Sequence, residues 1–197
     1  MMIDVKKILD LQSRNVKDWH QELIPTEKEL PWQFIEENNM WNFSLWHEED
    51  VARIKDIDPL RIVQAKRNID KFNQARNNAM EKIDEWILSF LDAHKIPAGN
   101  KIHSETPGMM IDRLSIMSLK IYHMREEANR EDASAEHQSA CADKVKVLDE
   151  QIADLSGSLA VLFEDLMDAK LRFKVYRQFK MYNDPNLNPE LYKRNQK

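Results

Sequence analysis

Arg76 is the residue whose type and position most demand a chemical explanation. It falls in the series Ile62, Ile69, Arg76, Ile83 and Phe90, at intervals of seven or multiples of seven, with Asn73 and Asn77 beside it. A guanidinium in an apolar seam must leave water, which a fold tolerates only where an anion meets it. That anion is either a carboxylate of the chain, with Asp50, Asp112 and Asp154 as candidates, or the phosphate or carboxylate of a ligand. Arg grips both kinds in a bidentate way. A bundle's own buried carboxylates are its nearest anions, which favours the first reading. His47 and Asp50 lie three apart, hence on one helix face, flanked by Glu49 and Arg53. A histidine beside carboxylates suits general acid–base work, so these two are the catalytic candidates. Arg113 and Lys120, seven apart, share a face that could add cations to the Arg76 pocket, although surface pairing with Asp112, Glu126 or Glu127 would contribute little. The candidate ligand-binding set is therefore Trp46, His47, Asp50, Arg53, Arg67, Asn73, Arg76, Asn77, Arg113 and Lys120.

Other chemistries lack a signature. No Glu-x-x-His pair and no His-Glu-x-x-His motif occurs, and the six histidines are scattered, so no metal and no cofactor are expected. There is no Walker motif and no legible Ser-His-Asp pattern. Glu81-x-x-Asp84 is similar to the acidic motif of helical nucleotide pyrophosphohydrolases, but the second pair that chemistry needs is missing. Lys170, Arg172, Lys174, Arg177 and Lys180 alternate with Phe173, Tyr176, Phe179 and Tyr182. Such interleaving can bind RNA or an anionic membrane surface. A net charge of -5 favours the plainer alternative, a cationic last helix docked on the acidic His47–Asp50 region with its rings inward.

The elements that must position these residues are helical. Three glycines in 197 residues argue against a turn-rich β fold and against a glycine-rich phosphate loop. One cysteine, Cys141, excludes an internal disulfide, fits a reducing compartment and reads as a small buried hydrophobe. The start lacks a signal-peptide apolar region and no run reaches the length of a membrane span, so a cytoplasmic protein is expected. Ile3–Leu23 reads as a first amphipathic helix. Residues 32–42 read as irregular, since their apolar residues keep no clean period, and a short helix follows over Leu45–Ile54. Asp58-Pro59 starts a helix that runs to about His94 and, at 1.5 Å per residue, spans roughly 50 Å. Ser104-Glu105-Thr106-Pro107-Gly108 opens a helix from Met109 to Glu127 that is apolar around most of its circumference, as befits the middle of a bundle. Cys141, Val145, Leu148, Ile152, Leu155, Leu159, Leu162 and Leu166 make the seam of a last long helix, Ser134–Ala169, where Gly157 suggests close helix packing. Arg172–Tyr182 reads as its helical continuation.

The expected architecture is all-α, a single helical domain over 1–197 with one long central helix. It comprises an N-terminal helix and irregular segment (1–41), the bundle core (42–182) and a polar tail (183–197). A homodimer through an exposed part of the long helix is one expectation, and no nucleic-acid partner is expected.

Several stretches together resemble one bacterial family of unknown function, numbered 4254. They are Asn42-Phe43-Ser44-Leu45-Trp46-His47-Glu48-Glu49-Asp50-Val51-Ala52-Arg53, Lys66-Arg67-Asn68-Ile69-Asp70, Asn73-Gln74-Ala75-Arg76-Asn77, the Ser104–Gly108 stretch with Ile111-Asp112-Arg113-Leu114-Ser115-Ile116, and the basic segment from Phe173 to Pro185. The resemblance implies one helical domain and genes that often lie near those for cell-surface polysaccharides and glycosyltransferases. It brings no catalytic residues. It also implies a glycine near position 170, where this chain has Lys170; a helix continuous into Arg172 is then expected in place of a sharp turn. The functional expectation is a binding or accessory protein of cell-surface glycan assembly. It would hold a phosphorylated sugar, a nucleotide sugar or a glycosyltransferase partner at a cationic, Trp-flanked pocket. The alternatives are a small-molecule enzyme using His47 and Asp50, and a structural interaction module.

Overall fold

Helix starts follow from side chains that close first turns. Asp4 accepts from the Lys6 N–H, Asp58 from Leu60, Thr106 from Met109 and Ser134 from His137, each satisfying a donor the helix itself leaves open. In the computed structural model, which describes residues 3–179 and 184–193, these caps begin α1 (Val5–Trp19), α3 (Pro59–Ala93), α4 (Pro107–Ala128) and α5 (Ala135–Met167). Between α1 and α3 lies α2 (Trp32–Val51), and a short α6 (Pro189–Tyr192) falls within the expected polar tail. Two strands, β1 (Lys101–Ile102) and β2 (Leu171–Arg172), pair in parallel. The fold is thus mostly all-α, with α3 as its longest helix. Among the described residues no helix is long and apolar enough to cross a membrane.

Helix α2 lies along α3, α4 along α5, and α1 packs across α4 and α2. The main core joins Ile8 and Leu11 of α1, Ile35 of α2, Ile83 and Ile87 of α3, Ile111 and Leu114 of α4, and Leu159, Leu162 and Leu166 of α5.

The start of α4 docks on α3 with backbone-level closeness. The Gly108 N–H donates to Asp84 Oδ1 at 2.7 Å, and a Cβ on Gly108 would stand 2.5 Å from the Met80 carbonyl oxygen. That approach explains why glycine stands in the first turn of a helix. Gly157 has no such reason. Among the described residues nothing lies within 4 Å of where its Cβ would be, which corrects the expectation of close helix packing there.

Three further expectations are corrected. Residues 32–51 form one continuous helix, not an irregular segment followed by a short helix. Its buried stripe, Ile35, Asn38, Asn39, Asn42 and Phe43, keeps the three-four repeat but fills it with amides. Helix α5 does not run on into Arg172. Ala169 adopts φ 55, the Ala169 N–H donates to the Leu166 carbonyl and the Lys170 N–H to that of Asp165. This is a Schellman ending in which Ala169 fills the place glycine usually takes. The basic segment after β2 forms no helix over 173–179, and it docks on α3, not on the His47–Asp50 region. Arg177 pairs with Glu81 and Glu85, and the Gln178 N–H donates to Glu81 at 2.9 Å. Lys180 and Tyr182 lie outside the described residues.

Two expectations for stability follow. Gly157→Ala should raise it by about 1 kcal/mol, the helix-propensity gain, whereas Gly108→Ala should lower it by about 1–3 kcal/mol through overpacking. Urea unfolding of the two variants checks both signs. Burial pushes the Asp84 carboxyl up to about 6, against hydrogen bonds from Thr106 and Gly108 that favour its charge and with Glu81 and Glu85 adding to the rise. A folded value above the unfolded 3.8 means that the native state keeps a proton the unfolded chain releases. The Asp84 contribution to stability is therefore full below about pH 4 and lost as pH rises through about 6. Relative to the parent, Asp84→Asn should gain up to about 3 kcal/mol between pH 4 and pH 7; a difference flat with pH would show that Asp84 ionises freely.

Candidate functional site

Two asparagines of the α2 stripe, Asn38 and Asn42, meet one carboxylate. Asp112 of α4 is 5% exposed and accepts from Asn38 Nδ2 and Asn42 Nδ2, each at 2.9 Å. Arg76 of α3 closes the set: its Nη1 lies 3.3 Å from Asp112 Oδ2 and donates to Asn42 Oδ1 at 3.0 Å. Asn39 Nδ2 donates to Ser115 Oγ at 2.9 Å, and Asn38 Nδ2 also reaches the Arg76 carbonyl oxygen at 3.3 Å. Of the three carboxylates proposed for Arg76, Asp112 is the partner.

Arg76 is not enclosed by this network. With Trp46, Asp50 and Arg53 it lines a pocket of about 330 Å³, whose remaining walls include Asn42, Leu45, Glu49, Ile116 and Leu119. Both protein partners of the guanidinium are held by Nη1, which leaves Nη2 for a ligand oxygen. Arg53 is tied to Glu49 through both the side-chain carboxylate and the backbone carbonyl. The pocket therefore carries Arg76 and Arg53 together with Glu49 and Asp50, and an arriving anion has to compete with protein carboxylates.

The other candidate residues are dispersed. Arg113 and Lys120 line a separate and wider cleft of about 800 Å³ with His103, Glu105, Gln151 and Asp154; Ile116 belongs to both walls. Arg113 is already paired there with Glu105 at 2.5 Å. Arg67 is exposed on α3, while Asn73 is half-buried and Asn77 buried, and none of the three lines either pocket. His47 is not beside Asp50 in the Arg76 pocket. Its ring faces away from that pocket, toward α1 and α4, where it meets His20 and His123, while Asp50 remains near enough to act on its charge.

That other side holds what sequence reading missed. One ring nitrogen each of His20, His47 and His123 lies within 4.8 Å of the other two. The histidines come from the end of α1, from α2 and from α4, so no local spacing connects them. One signal was legible: each follows an aromatic residue, as Trp19-His20, Trp46-His47 and Tyr122-His123, whereas His94, His103 and His137 do not. The rings build a common wall. Tyr122 stacks on His20 with centroids 4.4 Å apart, Trp46 stacks on His123 at 4.9 Å, and Phe43 meets both His20 and His47 edge-on. Burial, followed by the neighbouring His20 and His123, holds His47 below its ordinary value, with Asp50 and Glu126 pulling the other way. Trp46 thus stands between the histidines and the Arg76 pocket.

Glu36 was also missed. It is 1% exposed and accepts from Asn15, from the backbone N–H groups of Thr26 and Glu27 and from the Thr26 hydroxyl, fixing the connection between α1 and α2. The Glu81-x-x-Asp84 pair serves structure as well, since Glu81 holds Arg177 and Asp84 holds Gly108. Cys141 is buried, with its sulfur 3.5 Å from His137 Nε2.

Residues 32–175 match the model of a family described as "Protein of unknown function (DUF4254)". No curated protein and no solved structure matches the chain.

Removing Arg76 leaves the buried Asp112 charge with amide donors only. Arg76→Ala should lose about 3 kcal/mol of stability, and adding Asp112→Asn should restore part of it because the uncompensated charge goes. Strictly additive losses in that cycle would mean that the pair is not coupled.

Proposed function

From the premise that the chain belongs to the DUF4254 family, whose description names no activity, we propose that it is a binding or accessory protein of cell-surface glycan assembly. Its ligand is a phosphorylated sugar or nucleotide sugar held in the pocket of Trp46, Asp50, Arg53 and Arg76. The glycan part of this reading rests on the gene neighbourhood that the family resemblance implies. The ligand part rests on one observation: Arg76 reaches the pocket wall with both protein partners on a single Nη atom. A purely structural arginine would be saturated and would adjoin no cavity. Here Nη2 meets a phosphate oxygen, Arg53 supplies the second cation after releasing Glu49, and Asp50 and the Trp46 ring meet sugar hydroxyls and an apolar sugar face. Binding is favoured over catalysis because His47 does not line this pocket with Asp50. Its ring faces those of His20 and His123.

Thermal unfolding against inorganic phosphate, a hexose 1-phosphate and a uridine diphosphate sugar tests the reading. A ligand at a hundred times its dissociation constant stabilises by about 2.7 kcal/mol. The sugar phosphate or nucleotide sugar should stabilise the parent. Arg53→Ala, a change at an exposed side chain, and Arg76→Lys, which keeps the charge but not the fork, should each weaken binding by about tenfold or more. Absence of stabilisation by all three compounds, or equal stabilisation of parent and both variants, would refute the pocket.

A further inference from the structure

His20, His47 and His123 make a constellation that the sugar pocket does not use. Two of the three rings are oriented through Nδ1. His20 Nδ1 donates to the Val16 carbonyl oxygen at 2.6 Å, and His123 Nδ1 lies 2.9 Å from Glu126 Oε2. In each case the anchoring acceptor places the proton on Nδ1 and leaves the Nε2 lone pair free. His47 Nε2 and His123 Nε2 are both buried and have no hydrogen-bond partner among the described residues. Buried polar atoms are normally paired, so two orphaned imidazole nitrogens in one cluster of rings need an explanation.

A structural histidine cluster would pair its nitrogens with hydroxyls, amides or carboxylates. This one leaves the Nε2 atoms of His47 and His123 unpaired among Phe43, Trp46 and Tyr122, and brings one nitrogen of each of the three rings within 4.8 Å of the other two. Nitrogens bound to one tetrahedral ion at about 2.0–2.1 Å lie roughly 3.4 Å apart, so ligand atoms within 4.8 Å need only small ring rotations to close on it. The backbone carbonyl behind His20 and the carboxylate behind His123 are the outer partners that fix ligating histidines and raise their basicity. His20 is exposed, so the site opens to solvent on the α1 side and keeps a position for water.

We propose that His20, His47 and His123 bind one zinc-class divalent transition-metal ion through three imidazole nitrogens, with an open coordination position facing solvent. Three imidazoles with no hard oxygen ligand select zinc, cobalt, nickel or copper over magnesium and calcium. The inference goes beyond the sugar pocket and does not depend on it.

The test uses the full chain, stripped with chelator and titrated with cobalt(II) and zinc(II) alone. Cobalt should bind at one equivalent and develop the visible bands of a low-coordinate site, which zinc then displaces. His20→Ala, at an exposed position that leaves the core intact, should weaken cobalt binding at least tenfold, as should His47→Ala. Glu126→Gln, which touches the ion only through His123, should weaken it by about 10–100-fold. His94→Ala and His103→Ala should leave it unchanged. No saturable one-equivalent binding would overturn the proposal. So would binding that survives His20→Ala and His47→Ala but disappears in His137→Ala, which would place the ion at His137 and Cys141. Circular dichroism of each variant separates loss of a ligand from loss of fold.

Discussion

The Asp112 carboxylate is the constraint on which the middle of this protein depends. An ionised group 5% exposed is tolerated only if donors converge on it, and they arrive from two other helices: Asn38 and Asn42 from α2, Arg76 from α3. Each donor fixes a helix in rotation as well as in distance, because an amide one residue out of register would point about 100° away. The network therefore specifies how α2, α3 and α4 face one another, a task the surrounding Ile and Leu side chains leave underdetermined. It also explains why Arg76 reaches the pocket wall at all. The residue that neutralises Asp112 is also one that lines the pocket.

The same network accounts for what the sequence concealed. Helices whose buried faces are apolar were legible: α3 from Asp58-Pro59 to His94, α4 from the Thr106 cap and α5 from its Leu seam all lie within a few residues of the expected bounds. Helix α2 was not, because its inward stripe contains Asn38, Asn39 and Asn42 where a pattern of hydrophobicity looks for aliphatic residues. The period was present and written in amides. The end of α5 failed for a different reason. Ala169 takes a left-handed conformation that its residue type does not announce, so a turn that glycine would have marked read as continuous helix.

Site residues divide along similar lines. Trp46, Asp50, Arg53 and Arg76 line one pocket because the end of α2 packs along α3, and Arg76 alone was legible as a charge placed in an apolar series. Arg113 and Lys120 share a helix face as expected, but Ile116 stands between that face and the Arg76 pocket. His47, singled out in the sequence with Asp50, has its ring against those of His20 and His123 and does not line the Arg76 pocket. Its neighbours come from 27 positions earlier and 76 later, and only the aromatic residue preceding each ring hinted that the three share an environment.

The parallel pair β1–β2 has a consequence for how the chain reaches this state. It joins Lys101 to Leu171 and Ile102 to Arg172, partners seventy residues apart, in the segments that follow α3 and α5. Each strand is two residues long and contributes little by itself, yet closing so long a loop carries an entropic cost that local helical contacts do not. The α4–α5 hairpin, joined by a short connection, assembles at low contact order, and the strand pair closes once that hairpin exists. This clasp is then a late event in folding, and substitutions confined to it alter the rate of unfolding more than the rate of folding.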